Sequence, residues 1–309
     1  MTEPTPQTMR ATVVSEYGDP EVLVVRDVPL PVPGPGQVRI SVRAAGISPT
    51  DLHIRAGDLS AFFALPEPAI LGFEAAGVVD ALGDGVTGVS VGDEVAARLP
   101  RLGGYADFVL ADAWTPKPES VSWEEAGSLP TAAEAAVAAL RQLGVAKGDQ
   151  LLVLGATGSV GLMAVQLARS MGATVIGSAP ERDRAVVEDL GALFLPAGTP
   201  VGDALKALGV EVDWVLDAIS AGGLEEVVDA VGAPGKIVTL TGAGAHGGVQ
   251  MLADGVNRAA DALDMAMPLL ASGQLRMRPR ETFPMAQAAA AHTALEEHRS
   301  HRKLVLVND

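Results

Sequence analysis

The sequence predicts a two-domain α/β protein, with an irregular antiparallel β-barrel domain and a domain built on a doubly wound parallel sheet. Three observations predict it. Residues 151–161 read L-L-V-L-G-A-T-G-S-V-G, four apolar residues running into a glycine-rich turn. Downstream of them, strand-like and helix-like stretches alternate, which demands a parallel sheet with helices on both faces. Upstream, short runs of alternating apolar residues lie between Pro- and Gly-rich turns, the pattern of an antiparallel barrel.

The central stretch is justified residue by residue. Four consecutive apolar residues read as a fully buried strand. After the turn, Val160, Ala164, Leu167 and Met171 fall on one apolar helix face, and Gly172 marks the helix end. Residues 174–177 read as the next strand. Strand, glycine turn, helix and strand within about 30 residues is the context of the dinucleotide fingerprint. Gly158 lets the backbone approach a pyrophosphate, whose charge meets the amides and dipole at the helix start. Gly161 lets the helix pack closely on the sheet. The usual first glycine is here Ala156, with Gly155 ahead of it, so the turn has a modified form. The cofactor residues expected from this stretch are Gly155, Ala156, Thr157, Gly158, Ser159, Val160 and Gly161.

Composition bounds the function. At 309 residues, 48% apolar and 19% charged, the chain is long enough for two globular domains. No apolar run approaches the roughly 18 residues that cross a bilayer. The opening residues, M-T-E-P-T-P-Q-T, lack the charged and apolar regions of a secretory signal, so a cytoplasmic location is expected. Cysteine is absent, which excludes disulfides and Cys-ligated zinc. A net charge of −16, spread along the chain, argues against nucleic acid or anionic membranes as partners.

In order, residues 12–14, 22–25 and 38–44 read as strands, and P-L-P-V-P-G-P-G-Q as a rigid surface turn. Short strands and turns follow over 72–93, and another strand over 103–109. The pattern changes at W-E-E-A. Ser122 with Glu125 three residues on forms a capping box, opening an Ala-rich helix to about Leu143 that Pro130 splits. Strands are expected at Leu151, Thr174, Ala192, Trp214 and over 235–240, and a long helix over 257–271. Residues 276–283 and 304–307 return to strand character around a helix over 285–297.

At this point the chain resembles the medium-chain dehydrogenase/reductase superfamily, in its zinc-free NADPH:quinone oxidoreductase-like branch. The resemblance rests on A-A-G-I-S-P-T-D (44–51), G-F-E-A-A-G-V-V (72–79), V-G-D-E-V (91–95), G-G-Y-A-D-F-V (103–109) and the fingerprint. It implies a GroES-like catalytic domain over 1–122 and 273–309, a Rossmann domain over 123–272, an interdomain cleft and a homodimer.

The resemblance also places the chemistry. Zinc-dependent relatives carry a Cys ligand where this chain has Ser48 and a His ligand where it has Phe73, so no metal is expected. Without zinc, and without the Tyr-Lys pair of short-chain reductases, an isolated ketone is a demanding acceptor. A quinone or conjugated enone spreads the developing charge into a phenolate or enolate, which neutral donors can stabilise. His53 occupies a position where the family places a Tyr or His donor; the alternative is a surface or loop-packing histidine. Ser48 is a candidate to bond substrate or nicotinamide, or else a turn hydroxyl before Pro49. Asp51 is expected to orient backbone or His53. His298 and His301 are three apart and could share a metal on one helix face, but their charged neighbours at a helix end read as solvated surface. His246 and His292 show no ligand partner, and the pairs Glu124–Glu125 and Glu296–Glu297 read as solvated helix surface.

The strand after the fingerprint ends in Ser178 and Ala179, followed by P-E-R-D-R, with no carboxylate where an NAD-selecting one would stand. Ser178 and Arg182 are expected to hold a 2′-phosphate, so NADP(H) is the expected cofactor; the alternative puts Arg182 and Arg184 in a surface ion-pair network with Glu181 and Asp183. Thr241 and Gly242, after the fifth strand, complete the expected site. Two departures from the family stand out: P-A-G (196–198) replaces a tyrosine, and Glu134, Ala135 and Ala136 replace an L-T-A segment. The reaction expected is NADPH-dependent reduction of a small-molecule quinone or α,β-unsaturated carbonyl. An NADPH-binding protein with little turnover and a biosynthetic enone reductase of narrow specificity remain as alternatives.

Overall fold

In a computed structural model, residues 7–61, 68–219, 224–240, 249–252 and 259–308 are described. The chain order is β1 (Thr8–Val14), β2 (Leu23–Pro29), β3 (Val38–Gly46), α1 (Pro49–Ala56), β4 (Ala69–Ile70), β5 (Glu74–Leu82), β6 (Glu94–Arg98), β7 (Phe108–Ala111), β8 (Thr115–Pro116) and α2 (Trp123–Ala126). Next come α3 (Pro130–Leu143), β9 (Gln150–Leu154), α4 (Ser159–Ser170), β10 (Thr174–Ala179), α5 (Arg184–Asp189), β11 (Leu193–Pro196), α6 (Val201–Leu208), β12 (Trp214–Asp217), α7 (Leu224–Val231), β13 (Ile237–Thr239), β14 (Gln250–Met251) and α8 (Ala262–Ala271). The chain closes with β15 (Arg280–Pro284), α9 (Ala288–Glu296) and β16 (Lys303–Val307). No helix among the described residues is long and apolar enough to cross a membrane.

Two units divide these elements: Met1–Thr131 with Met267–Ala271 and Pro279–Asp309, and Ala132–Ala266 with Ser272–Arg278. In the first unit, β2, β1 and β4 form one antiparallel sheet. A second sheet runs β15-β16-β3-β5-β6-β8, with β7 also on β3. The expected barrel is thus present as two sheets that do not close into a ring among the described residues. Alternation explains the core: Val38, Ile40 and Val42 on β3 turn inward beside Val79, Val95, Leu71 and Ile54. The last strand, β16, pairs with β3 by Val305–Gly46, Leu306–Ala45 and Val307–Ala44, so the chain end completes the first unit.

The second unit is an all-parallel sheet in the order β11-β10-β9-β12-β13-β14. Counted from β9 this is 3-2-1-4-5-6, the doubly wound order, whose direction reverses beside the fingerprint strand. Ligands in such sheets bind beyond the strands' carboxyl ends at that reversal. Near-continuous apolar strands, Leu151 to Val153 among them, follow from burial on both faces.

Several local expectations need correction. Residues 103–107 are a loop, and the strand begins at Phe108. Met171 is 44% exposed, because it is the C-cap of α4 and lies past its last buried turn. The 49–56 stretch, where the sequence suggests no more than a turn hydroxyl at Ser48, is a helix. Ser48 caps it, with Asp51 answering from N3, and Pro49 at the first position is pre-set for helix. The capping box at Ser122 and Glu125 forms as expected. Residues 257 and 258 of the expected long helix lie outside the described residues.

Candidate active site

In the second unit the site begins where β9 ends. The Gly155 and Ala156 amides both donate to the Ser178 carbonyl, at 3.0 and 2.9 Å, which ties the turn to β10. Gly158 is the N-cap of α4 and offers no side-chain cap. The first-turn amides of Ser159, Val160 and Gly161 therefore keep the unpaired donors with which a helix start meets an anion. A methyl group on Gly161 would lie 2.1 Å from the Gly155 oxygen, so helix and turn touch backbone to backbone. These residues fit a pyridine nucleotide diphosphate.

At the β10 end, the Thr157 hydroxyl donates to Asp183 at 3.1 Å. Ser178 is buried and Arg182 exposed. Arg184 belongs to the surface network: it pairs with Glu181 and Glu188 and stacks over the Phe194 ring at 4.1 Å. The sequence reading missed Arg278. Two hydrogen bonds between Gln166 and the Arg276 backbone, each 2.8 Å, hold its segment against α4. Burial draws the Arg278 guanidinium down from its ordinary value, Asp183 acts to raise it, and Arg182 opposes it. A second cation thus stands near Arg182, visible only once residues 94 positions beyond Arg184 fold back. Thr241 and Gly242 lie outside the described residues, as does His246.

In the first unit, Ser48 and Asp51 come together and His53 does not join them. Asp51 is fully buried; its Oδ2 accepts from the Ser48 hydroxyl and the Ser48 amide, both at 2.8 Å. Its Oδ1 accepts from the Gly72 amide at 3.0 Å. Gly72 has φ +100°, and a methyl group there would lie 2.7 Å from Tyr105 Cδ1. His53 stands on the outer side of α1, its side chain 59% exposed, with Nδ1 2.8 Å from Asp58 Oδ2. Asp51 therefore orients Ser48 and the Gly72 backbone rather than His53, because residues two apart on a helix face different ways.

Behind Asp51 lies a cluster the sequence reading did not assemble. The buried Tyr105 hydroxyl lies 3.1 Å from His292 Nε2. The two rings meet edge to face, with centroids 5.8 Å apart. Arg55, 2% exposed, pairs with Glu296, so that carboxylate is not merely solvated surface. Glu125 likewise pairs with Arg280 at 2.9 Å. Glu74 and Lys303 form a buried pair, with Nζ 2.8 Å from Oε1. Glu74 Oε2 accepts from the Thr131 amide at 2.8 Å.

Burial sets the protonation. It raises Asp51 to about 6, against its Ser48 and Gly72 hydrogen bonds and the Lys303 charge, and it lowers His292 to about 3, helped by Arg55. The consequences for stability oppose each other. Asp51, raised, contributes stability that is present in acid and lost as pH rises from about 4 through 6. His292, depressed, contributes stability that is present above about 6.5 and lost as pH falls toward 3. Between pH 4 and 6 the two slopes cancel. The stability difference between the wild type and His292→Gln should therefore shrink by about 1.4 kcal/mol per unit below pH 6. Urea melts at three pH values would measure it, and a constant difference would contradict the depressed His292.

A zinc site does not fit these residues. The Ser48 hydroxyl is engaged by Asp51, and Phe73 belongs to the apolar core. Among the described residues no three His, Asp or Glu side chains gather as a metal would need.

Comparison with known proteins agrees with this architecture. Residues 34–119 match the alcohol dehydrogenase GroES-like domain, and 190–306 the family described as zinc-binding dehydrogenase. The NADPH-dependent alkenal/one oxidoreductase of Arabidopsis thaliana is 30% identical over 97% of this chain and 80% of its own length. The pikromycin polyketide synthase component PikAII of Streptomyces venezuelae is 33% identical over 94% of this chain, which spans only 8% of that protein. The solved structure of the quinone oxidoreductase from Coxiella burnetii superposes with a TM-score of 0.83 at 30% identity, covering 98% of this chain and all of that one. The chain belongs to the medium-chain dehydrogenase/reductase superfamily of oxidoreductases.

Proposed function

We propose that this protein carries out NADPH-dependent, zinc-independent reduction of a quinone or an α,β-unsaturated carbonyl. The observation that carries the proposal is the uncapped start of α4 beneath a turn pinned to Ser178, with Arg182 and Arg278 near the end of β10. When bound, NADPH supplies the reducing equivalent. The chain's own residues do the rest. The amides of Ser159, Val160 and Gly161 bind diphosphate, and Ser178 with Arg182 favours the 2′-phosphate. Ser48 stands by the acceptor oxygen, and His53, steadied by Asp58, returns a proton from solvent. Conjugation spreads charge over the acceptor, so hydrogen-bond donors suffice where a Lewis acid would otherwise be needed.

The test is NADPH oxidation with a panel of quinones and enones, alongside a zinc assay on the purified protein. Turnover with several of them and no stoichiometric zinc is expected; no turnover anywhere in the panel would end the proposal. Arg182→Ala should weaken NADPH binding at least tenfold while leaving NADH binding unchanged, since a charge-assisted hydrogen bond contributes about 1.5–3 kcal/mol. Equal losses for both cofactors would remove Arg182 from the phosphate. His53→Ala should lower kcat about 10²-fold if its ring moves the proton. A second reading is a biosynthetic enone reductase of narrow specificity, which a response from a single panel member would reveal; similarity to a polyketide synthase component is in keeping with a biosynthetic role.

A further inference from the structure

We propose that Asp183 is a specificity-determining residue of the nucleotide site, a carboxylate latched to the glycine turn that weighs against a 2′-phosphate and favours a ribose with both hydroxyls free. This role rests on the nucleotide reading above and adds to it the group that limits how strongly NADPH is preferred over NADH.

The latch is a side-chain contact between two walls of one crevice. Thr157 lies in the turn between β9 and α4, and its hydroxyl donates to Asp183 Oδ2 at 3.1 Å across 26 positions of chain. Asp183, half-buried, stands where β10 gives way to α5. Its amide donates to the Pro180 carbonyl at 2.9 Å, which closes the turn over 181–183 and brings the chain back toward β9. Asp183 is also the N-cap of α5, yet its side chain makes no cap bond there. An N-cap Asp ordinarily accepts from the second or third amide of its own helix. This one reaches to Thr157 instead, while its neighbour Arg184 pairs with Glu181 and Glu188. The packing behind the latch is close. A methyl group on Gly177 would lie 2.9 Å from Ala156 Cβ and 2.9 Å from Val187 Cγ1, so turn, β10 and α5 have little room to shift.

Placement gives the chemistry. In a doubly wound sheet the half that carries the glycine turn takes the adenosine end of a dinucleotide, beyond the carboxyl ends of its strands. Here that half is β9, β10 and β11. Thr157 follows the carboxyl end of β9 and Asp183 that of β10, so the adenosine ribose comes up against the point where they meet. An ionised carboxylate only accepts hydrogen bonds, and the Thr157 hydrogen uses one of the several it can take. A ribose 2′-hydroxyl can donate to another. A 2′-phosphate instead brings negative charge against negative charge. Arg182, the residue before, acts the other way. The chain thus sets a cation and an anion side by side at the position where the two cofactors differ, and the preference for NADPH is the difference between them.

The experiment is fluorescence titration of the full chain with NADPH and with NADH, for the wild type, Asp183→Asn, Thr157→Val and Asp189→Asn. The wild type should bind both, NADPH the more tightly. Asp183→Asn removes the charge and keeps an oxygen for Thr157, and thermal melts would confirm that it folds as the wild type does. It should tighten NADPH binding about tenfold and weaken NADH binding less than about threefold. Thr157→Val, which releases the carboxylate, should move the ratio of the two affinities in the same direction by a smaller factor. Asp189→Asn removes a charge from the exposed far end of α5 and should leave the ratio unchanged. An unchanged ratio in Asp183→Asn, or an equal shift in Asp189→Asn, would overturn the role of Asp183 while leaving the nucleotide site in place. Failure of the wild type to bind either nucleotide is a different result, and would overturn the nucleotide reading itself.

Discussion

Gly161→Ala is expected to destabilise the parallel-sheet unit by about 3 kcal/mol and to abolish measurable NADPH binding. The added methyl would lie 2.1 Å from the Gly155 oxygen, 2.8 Å from its carbonyl carbon and 3.0 Å from Ala156 Cα. None of these is the far end of a flexible side chain. Gly155 and Ala156 are held by their amides on the Ser178 carbonyl, so the turn cannot retreat without breaking its tie to β10. Gly158→Ala provides the contrast. Its methyl would meet the same oxygen at 3.3 Å, and its φ of −69° suits any residue. That variant should fold within about 1 kcal/mol of wild type yet bind NADPH at least tenfold more weakly, since the methyl crowds the backbone a diphosphate approaches. Chemical denaturation and fluorescence titration of both variants would decide. If Gly161→Ala melts with the wild type, the close approach of helix and turn is not real.

Lys303→Met should cost about 3–5 kcal/mol, the second large effect, by leaving a buried carboxylate without its countercharge. Glu74 is 1% exposed and Lys303 9% exposed. The ammonium is 2.8 Å from Oε1, in an orientation that serves charge better than hydrogen bonding, and it donates to the Ile47 carbonyl at 2.9 Å. The site also requires the missing side chain of Gly46, where a methyl would lie 2.1 Å from Oε1. Breaking such a pair costs more than the pair contributes, because the surviving ion keeps its desolvation penalty. The double variant Glu74→Gln/Lys303→Met should therefore recover much of the loss, giving a coupling energy of at least about 1 kcal/mol in a denaturation cycle. A single-variant cost below about 1 kcal/mol would show that water reaches the pair.

The legibility of the sequence varied with the range of the interaction. The turn at 155–161 was readable because strand, glycines and helix are consecutive, and each glycine's task depends on neighbours a few residues away. The Ser122 capping box was readable for the same reason. The 49–56 helix was missed although Ser48 and Asp51 have capping spacing, because Pro49 read as a turn signal rather than as a first helical residue. His292 looked like a helix histidine with no partner; its partner is Tyr105, 187 positions away. Glu296 looked solvated until Arg55, 241 positions away, was brought to it.

By itself the sequence determined the two-unit plan, the parallel sheet around the fingerprint, the absence of any cysteine ligand and the glycine turn that opens a helix. These follow from periodicity, residue type and local backbone geometry, which act over a turn or two of chain. Only the tertiary structure decided that Asp51 serves Ser48 rather than His53, that Arg278 stands near Arg182, and that a glutamate–lysine ion pair and a tyrosine–histidine pair lie buried. Those outcomes depend on which side of a helix faces a neighbour and on how deeply water is excluded. Both are set by packing between segments distant in sequence.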